Sequence, residues 1–182
     1  MAELQSPGPL VDTYQLYIDG RWVDPEDGRY DDISPATEQP IATAPDASVA
    51  QVGDAIAAAR RAFDHGPWAT MSLEDRGRCL NQLGDALLKH ADEFFALSQV
   101  EWGCIANERL MQIDGAGYTS MFAAQLTGKL AADPVTGIGA GTTLLSHEPL
   151  GVVSILTPWN FPHILNVMKV NNALAAGNTI VL

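Results

Sequence analysis

The sequence predicts an α/β fold: an N-terminal hairpin and a helix-rich layer, followed by the opening β-α-β unit of a parallel sheet. Three observations carry this. Apolar residues recur at steps of three and four over much of the span 48–126, the period of amphipathic helices. The β-branched run Val152-Val153-Ser154-Ile155-Leu156 is followed by a helix-length stretch, His163 to Ala176, and a second short apolar run, Asn178 to Leu182. Charge is also segregated. The 182 residues hold 10 Lys+Arg and 22 Asp+Glu, a net charge of −12, yet from Val135 onward only Glu148 and Lys169 are charged. The apolar back reads as the buried centre of a fold, and the acidic front as its solvated layer.

Composition excludes several classes. With 47% hydrophobic residues the chain can bury a core. Its acidity argues against nucleic acid, because phosphate binding needs clustered Lys and Arg. No apolar run approaches the roughly 20 residues that cross a bilayer, so no membrane association is expected. Residues Met1 to Pro9 lack the basic start and apolar centre of a secretory signal. Cys79 and Cys104 form neither a disulfide framework nor a metal-ligand spacing. The expectation is a cytoplasmic protein without a metal.

The elements follow in order. Residues 1 to about 13 read as a loose arm. Leu16 to Val23 reads as a hairpin turning at Asp19-Gly20, the pair a type I′ turn favours. A Pro/Asp/Thr-rich stretch, Pro25 to Pro45, leads to a helix starting near Ser48, with Gln51 at the capping-box position. Val49, Val52, Ile56, Ala59 and Phe63 share one of its faces, and Gly66-Pro67 ends it. A second helix starts near Ser72 and buries Leu80, Leu83, Leu87, Ala91 and Phe94 before Trp102-Gly103 breaks it. A third helical stretch runs from about Ala106 towards Leu126, weakened by Gly115 and Gly117. Pro134 stops the helices, Gly137, Gly139 and Gly141 permit sharp turns, and Thr142 to Ser146 reads as a strand of an exposed two-stranded arm.

Chemistry concentrates in the last segment. Pro158 ends the first strand, Pro162 suits the first turn of the following helix, and Gly177 suits its left-handed cap. The intervening loop, Thr157-Pro158-Trp159-Asn160-Phe161, lies where parallel sheets bind ligands, beyond the carboxyl ends of their strands. It contains no GxGxxG, so it lacks the glycine-rich diphosphate cradle. Pro158 and Trp159 offer rigid apolar walls. Asn160 offers a neutral amide donor for charge developing on a carbonyl oxygen. The alternative is an Asn that caps the helix.

The run Glu148-Pro149-Leu150-Gly151-Val152-Val153, then Pro158-Trp159-Asn160-Phe161-Pro162, Lys169 and Ala173-Leu174-Ala175-Ala176-Gly177-Asn178-Thr179 resembles the aldehyde dehydrogenase superfamily. Tyr17 to Trp22, Ser34-Pro35-Ala36-Thr37, Ala57 to Phe63 and Trp68 agree, so the resemblance covers residues 14 to 182. It implies the N-terminal part of that fold. Residues 1–130 would supply the hairpin and helices of the cofactor-binding domain, residues 131–148 an oligomerisation hairpin, and residues 149–182 the first β-α-β of a Rossmann-like sheet. It implies oxidation of an aldehyde to a carboxylic acid with NAD or NADP, through a thiohemiacetal on a cysteine. It also implies assembly as a homodimer or homotetramer when complete. By position, Asn160 matches the oxyanion-stabilising asparagine. Leu156, Thr157, Pro158 and Trp159 match the cofactor-lining stretch. Phe161, Ile164, Leu165 and Met168 match the aldehyde tunnel, and Lys169 matches a helix lysine behind the general base.

The resemblance places the nucleophilic cysteine and the glutamate base after the position of Leu182. Cys79 and Cys104, both expected in helical stretches, match no nucleophile segment. The expectation is therefore the front of a longer enzyme, inactive as 182 residues alone. The alternatives are a truncated relative acting as an interaction subunit, and a portion of a semialdehyde or acylating dehydrogenase. His163 replaces an aliphatic residue and reads as a helix-start residue, while two departures bear on the tunnel: Ala123-Ala124 replaces an aromatic pair, and Glu101-Trp102-Gly103-Cys104 a Gly-Lys-Pro run.

Overall fold

The computed structural model describes residues 14–131, 133–136 and 142–182. The expected N-terminal arm and the three-glycine turn at 137–141 lie outside these residues. The hairpin forms as strands β1 (Leu16–Ile18) and β2 (Arg21–Val23), antiparallel. Its turn residues Asp19 and Gly20 have φ of 52° and 76°, the two positive angles of a type I′ turn. The Pro/Asp/Thr-rich stretch contains a second antiparallel pair, β3 (Arg29–Ile33) and β4 (Pro40–Pro45), which no alternation of apolar residues announced.

Helix α1 (Val49–His65) begins with the expected capping box. The Ser48 hydroxyl accepts from the Gln51 amide, and Gln51 Oε1 accepts from the Ser48 amide at 3.1 Å. The same Gln51 side chain accepts from the Glu26 amide and donates to the Asp24 carbonyl, tying the helix start to the chain leaving the hairpin. Its expected apolar face packs only in its second half, where Ala59 is buried and Phe63 half-buried. Val49 is 89% exposed, and Val52 and Ile56 are also exposed, whereas Ala58 and Ala59 are buried. The small alanines let the helix approach the parallel sheet, and the Thr179 hydroxyl donates to the Ala59 carbonyl at 2.9 Å.

The expected second helix is two helices. α2 (Leu73–Lys89) ends at His90, whose φ of −101° and ψ of 14° leave the helical region, and α3 (Ala91–Glu101) follows at once. The third helical stretch is also divided: a 3₁₀ turn over Ala106–Glu108, a π-helical segment over Leu110–Asp114, and α4 (Gly115–Leu126). Leu80, Ala123, Ala124 and Ala175 form the buried centre where α2 meets α4 and the last helix. Glycine makes the α2–α4 approach possible. A Cβ on Gly84 would lie 2.8 Å from the Gly117 carbonyl oxygen, and one on Gly117 would lie 2.5 Å from Leu88 Cγ.

Strands β5 (Asp133–Thr136) and β6 (Thr142–Leu145) pair antiparallel, the expected two-stranded arm. The β-α-β unit then forms as expected. β7 (Val152–Ser154) pairs in parallel with β8 (Thr179–Val181), joined by α5 (Pro162–Ala175). Gly177, at φ 91°, takes the left-handed turn after α5. Three side chains, two of them from distant sequence, donate to the carbonyls at the end of α5, where the helical ladder runs out. Asn178 Nδ2 donates to Ala173, Trp68 Nε1 to Leu174, and Arg76 Nη1 to Ala175, at 3.0–3.1 Å. Asn178 Oδ1 also accepts from the Gly151 amide at 2.9 Å, so one amide fastens the start of β7 to the end of α5. Among the described residues, no helix is long and apolar enough to cross a membrane.

Glycine substitutions separate close packing from backbone freedom. Gly84→Ala is expected to cost about 1–3 kcal/mol through overpacking against backbone. Gly53→Ala, inside α1 with nothing within 4 Å of the new Cβ, should gain about 0.5–1 kcal/mol from helix propensity. Chemical denaturation of the two variants measures both. Equal effects would contradict the packing assigned to Gly84.

Candidate functional site

β7 ends at Ser154, and Ile155 still donates its amide to the Val181 carbonyl at 2.8 Å. From Leu156 the chain leaves the carboxyl end of the sheet and turns into α5. Leu156 and Trp159 are 82% and 83% exposed, so the loop offers a large apolar surface at the sheet rim. Two side chains of α5 fix its departure. Lys169 Nζ donates to the Leu156 carbonyl, and Thr157 Oγ1 donates to Asn166 Oδ1 at 2.5 Å.

Asn160 stands half-buried at the end of this loop. It is not the cap of α5. The capping position belongs to Phe161, which makes no side-chain capping bond and adopts a left-handed conformation, φ 57° and ψ 44°. For a bulky aromatic residue this region is an outlier that surrounding structure must hold. Pro162 begins the helix with φ suited to its first turn, and the Leu165 amide donates to the Phe161 carbonyl at 3.2 Å. The backbone therefore reverses between Asn160 and Pro162, and Asn160 is set apart from the helix that follows it. Phe161, Ile164 and Leu165 are half-buried and Met168 is 44% exposed.

Lys169 has no acidic partner among the described residues and donates instead to the Leu156 carbonyl. That contact makes it a support for the loop. The remaining sequence candidates are brought together as one short stretch, residues 156–169, running from the rim of the sheet across the first half of α5.

Neither cysteine lies in the rim loop or in α5. Cys79 lies in α2. Cys104 follows the end of α3, outside a helix and against the expectation, because Gly103 turns the chain there at φ 83°. Cys104 is buried, its thiol faces the Ile105 carbonyl, and burial pushes its pKa up, with Glu108 adding to the effect. A raised pKa suppresses the thiolate that nucleophilic attack requires.

Sequence reasoning missed two aromatic contacts made by α3. The Phe94 ring lies 4.3 Å, centroid to centroid, from the His163 imidazole. The Trp102 ring meets that of Phe161 edge to face, at 5.8 Å and 88°. The available signal was the pair of departures at His163 and Trp102. Each is an aromatic ring that must pack against something, and each packs at the start of α5. Burial lowers the His163 pKa, and its Nε2 is buried with no partner among the described residues.

A parallel β-α-β unit with helices packed on it defines an α/β protein, and the carboxyl end of such a sheet is where ligands are generally bound. The comparisons with known proteins are specific about which. The sequence profile of the Aldehyde dehydrogenase family matches residues 22–182. The chain is 34% identical over 182 residues to aldehyde dehydrogenase family 2 member B4, mitochondrial, of Arabidopsis thaliana, covering 99% of this chain and 34% of that protein. It is 33% identical over 175 residues to the mitochondrial 10-formyltetrahydrofolate dehydrogenase of Homo sapiens, covering 93% and 19%. Among solved structures, an NAD-dependent aldehyde dehydrogenase from Sinorhizobium meliloti matches with a TM-score of 0.87 at 34% identity, over 98% of this chain and 37% of that one. Betaine aldehyde dehydrogenase from Staphylococcus aureus in complex with NAD+ matches with a TM-score of 0.87 at 29% identity, over 92% and 34%. The chain belongs to the aldehyde dehydrogenase family. It spans about a fifth to a third of the length of these curated relatives.

The buried imidazole gives the site an acid limit. His163 takes up a proton more readily in the unfolded chain than in the folded one. Stability is therefore whole above the ordinary imidazole pKa of about 6.5 and falls as pH drops below it. Urea unfolding between pH 7.5 and pH 5 should show a shallower loss in His163→Leu than in the parent. Identical slopes would place the acid sensitivity elsewhere.

Proposed function

We propose that this chain supplies the carbonyl-facing corner of an NAD- or NADP-dependent aldehyde dehydrogenase that oxidises an aldehyde to a carboxylic acid. The observation that carries the reading is the placement of Asn160. It is half-buried beyond the carboxyl end of β7, beside the exposed loop 156–159 and ahead of a left-handed Phe161. In this reading Asn160 Nδ2 donates a hydrogen bond to the aldehyde oxygen as negative charge develops there. A neutral, preorganised donor stabilises that charge without a proton transfer.

The residues of the loop suit a nicotinamide cofactor in one respect that the geometry supports. Leu156 and Trp159 offer exposed apolar surface at the sheet rim, against which a flat heteroaromatic ring can lie. When bound, the cofactor supplies the acceptor for the hydride leaving the aldehyde carbon. NAD is favoured by its presence in the Staphylococcus aureus relative. Thr157 and Pro158 shape the backbone between these two side chains, and Lys169 holds that backbone through the Leu156 carbonyl. Phe161, Ile164, Leu165 and Met168 form the apolar wall along which the aldehyde approaches. The β5–β6 arm is assigned to assembly of copies into a dimer or tetramer.

Asn160→Ala in the intact enzyme should lower kcat by about 10²-fold or more, with KM much less affected. Steady-state kinetics of NADH formation check this, and unchanged turnover removes Asn160 from the chemistry. Because neither Cys79 nor Cys104 lies in the rim loop or in α5, the purified 182-residue chain should form no NADH from aldehyde. Turnover by that chain alone would contradict the reading.

A further inference from the structure

We infer that Trp102 is a positioning residue for Asn160, acting through the left-handed Phe161; the inference rests on the reading of Asn160 above. A non-glycine residue at φ 57° is held in place only when its surroundings over-determine it. At Phe161 two backbone features act directly. Its carbonyl accepts from Leu165, and Pro162 restricts the residue before it away from the right-handed region. Neither contact selects where the aromatic ring goes. The Trp102 ring does, meeting it edge to face at 5.8 Å and 88°, the arrangement that sets the positive edge of one ring against the negative face of the other.

Trp102 is itself set on a firm mount. It ends α3, donating its amide to the Ser98 carbonyl, and the Cys104 amide donates to the same carbonyl at 3.1 Å. Between them Gly103, at φ 83°, turns the chain sharply, a conformation that strains other residues. The Trp102 indole N–H is buried without a hydrogen-bond partner among the described residues. Burying a donor unpaired is unfavourable, so the indole is held there by its shape and its ring contact rather than by a polar anchor. Phe94 of the same helix stacks on His163, one residue past Pro162. α3 thus grips the start of α5 on both sides of the proline, and the grip nearer Asn160 is Trp102.

The consequence for the proposed reaction is directional. Without the indole, Phe161 can relax from its left-handed conformation, and the neighbouring amide of Asn160 loses its aim. Misplacement of about 1 Å is enough to cost a large share of a preorganised donor's effect.

The test is a set of variants in the intact holoenzyme. Trp102→Leu should lower kcat by roughly tenfold or more with little change in KM, and Trp102→Phe should recover most of the loss by restoring an aromatic edge. In an Asn160→Ala background, Trp102→Leu should cause little further loss, because the two act on one interaction. Hydrogen exchange provides a readout independent of turnover. Trp102→Leu should speed exchange of the Leu165 amide, which bonds to the Phe161 carbonyl, while amides in α2 keep their protection. Fully multiplicative kcat losses, or unchanged exchange at Leu165, overturn the inference. If Asn160→Ala alone leaves turnover intact while exchange at Leu165 responds to Trp102, the functional reading fails, and the aiming of Asn160 fails with it. The Trp102–Phe161 mechanical link would then stand alone.

Discussion

A phenylalanine forced into the left-handed region is the constraint on which the site depends. The backbone angle at Phe161 reverses the chain between the sheet-rim loop and α5. It is what makes Asn160 a free-standing amide rather than the cap of a helix. The cost of such a conformation is of order 1–3 kcal/mol, and rigid neighbours must meet it. Pro162, the Leu165 amide and the Trp102 ring are those neighbours.

The rest of the molecule serves to keep that corner at a fixed place on the sheet. The far end of α5 is locked by Asn178, Trp68 and Arg76, each giving a hydrogen bond to one of its last three carbonyls. Arg76 does so as a buried cation at a helix C-terminus, where the helix dipole favours positive charge; burial alone lowers its pKa. The near end is held by the α3 aromatics. Along its length, α5 rests on α4, where the Ser120 hydroxyl donates to Asn171 Oδ1 at 3.1 Å inside the core. A helix pinned at both ends and along one side gives the loop preceding it little freedom, as preorganised electrostatic stabilisation requires.

Much of this was legible in the sequence wherever the deciding interaction was local. The capping box at Ser48 and Gln51, the Asp19-Gly20 turn, Pro162 at the start of α5 and Gly177 at its end are all set by residues a few positions apart. The corner residues 156–161 were legible through the motif they form. What was not legible was decided over distance. Of the apolar stripe of α1, Ala59 packs while Val49, Val52 and Ile56 stay exposed, because close approach to the parallel sheet favours the small Ala58 and Ala59. The break at His90 carries neither proline nor glycine. Nothing short of tertiary packing predicts a phenylalanine at φ 57°, and the ring packed against it, Trp102, comes from about 60 residues earlier in the chain.

The central claim is a geometric one about Asn160, and a single distance tests it most directly. In a crystal structure of the intact enzyme with NAD and an aldehyde analogue bound, the account places Asn160 Nδ2 at about 2.7–3.1 Å from the analogue's carbonyl-derived oxygen. An Asn160 amide turned into the protein, with that oxygen held by other donors, would contradict it.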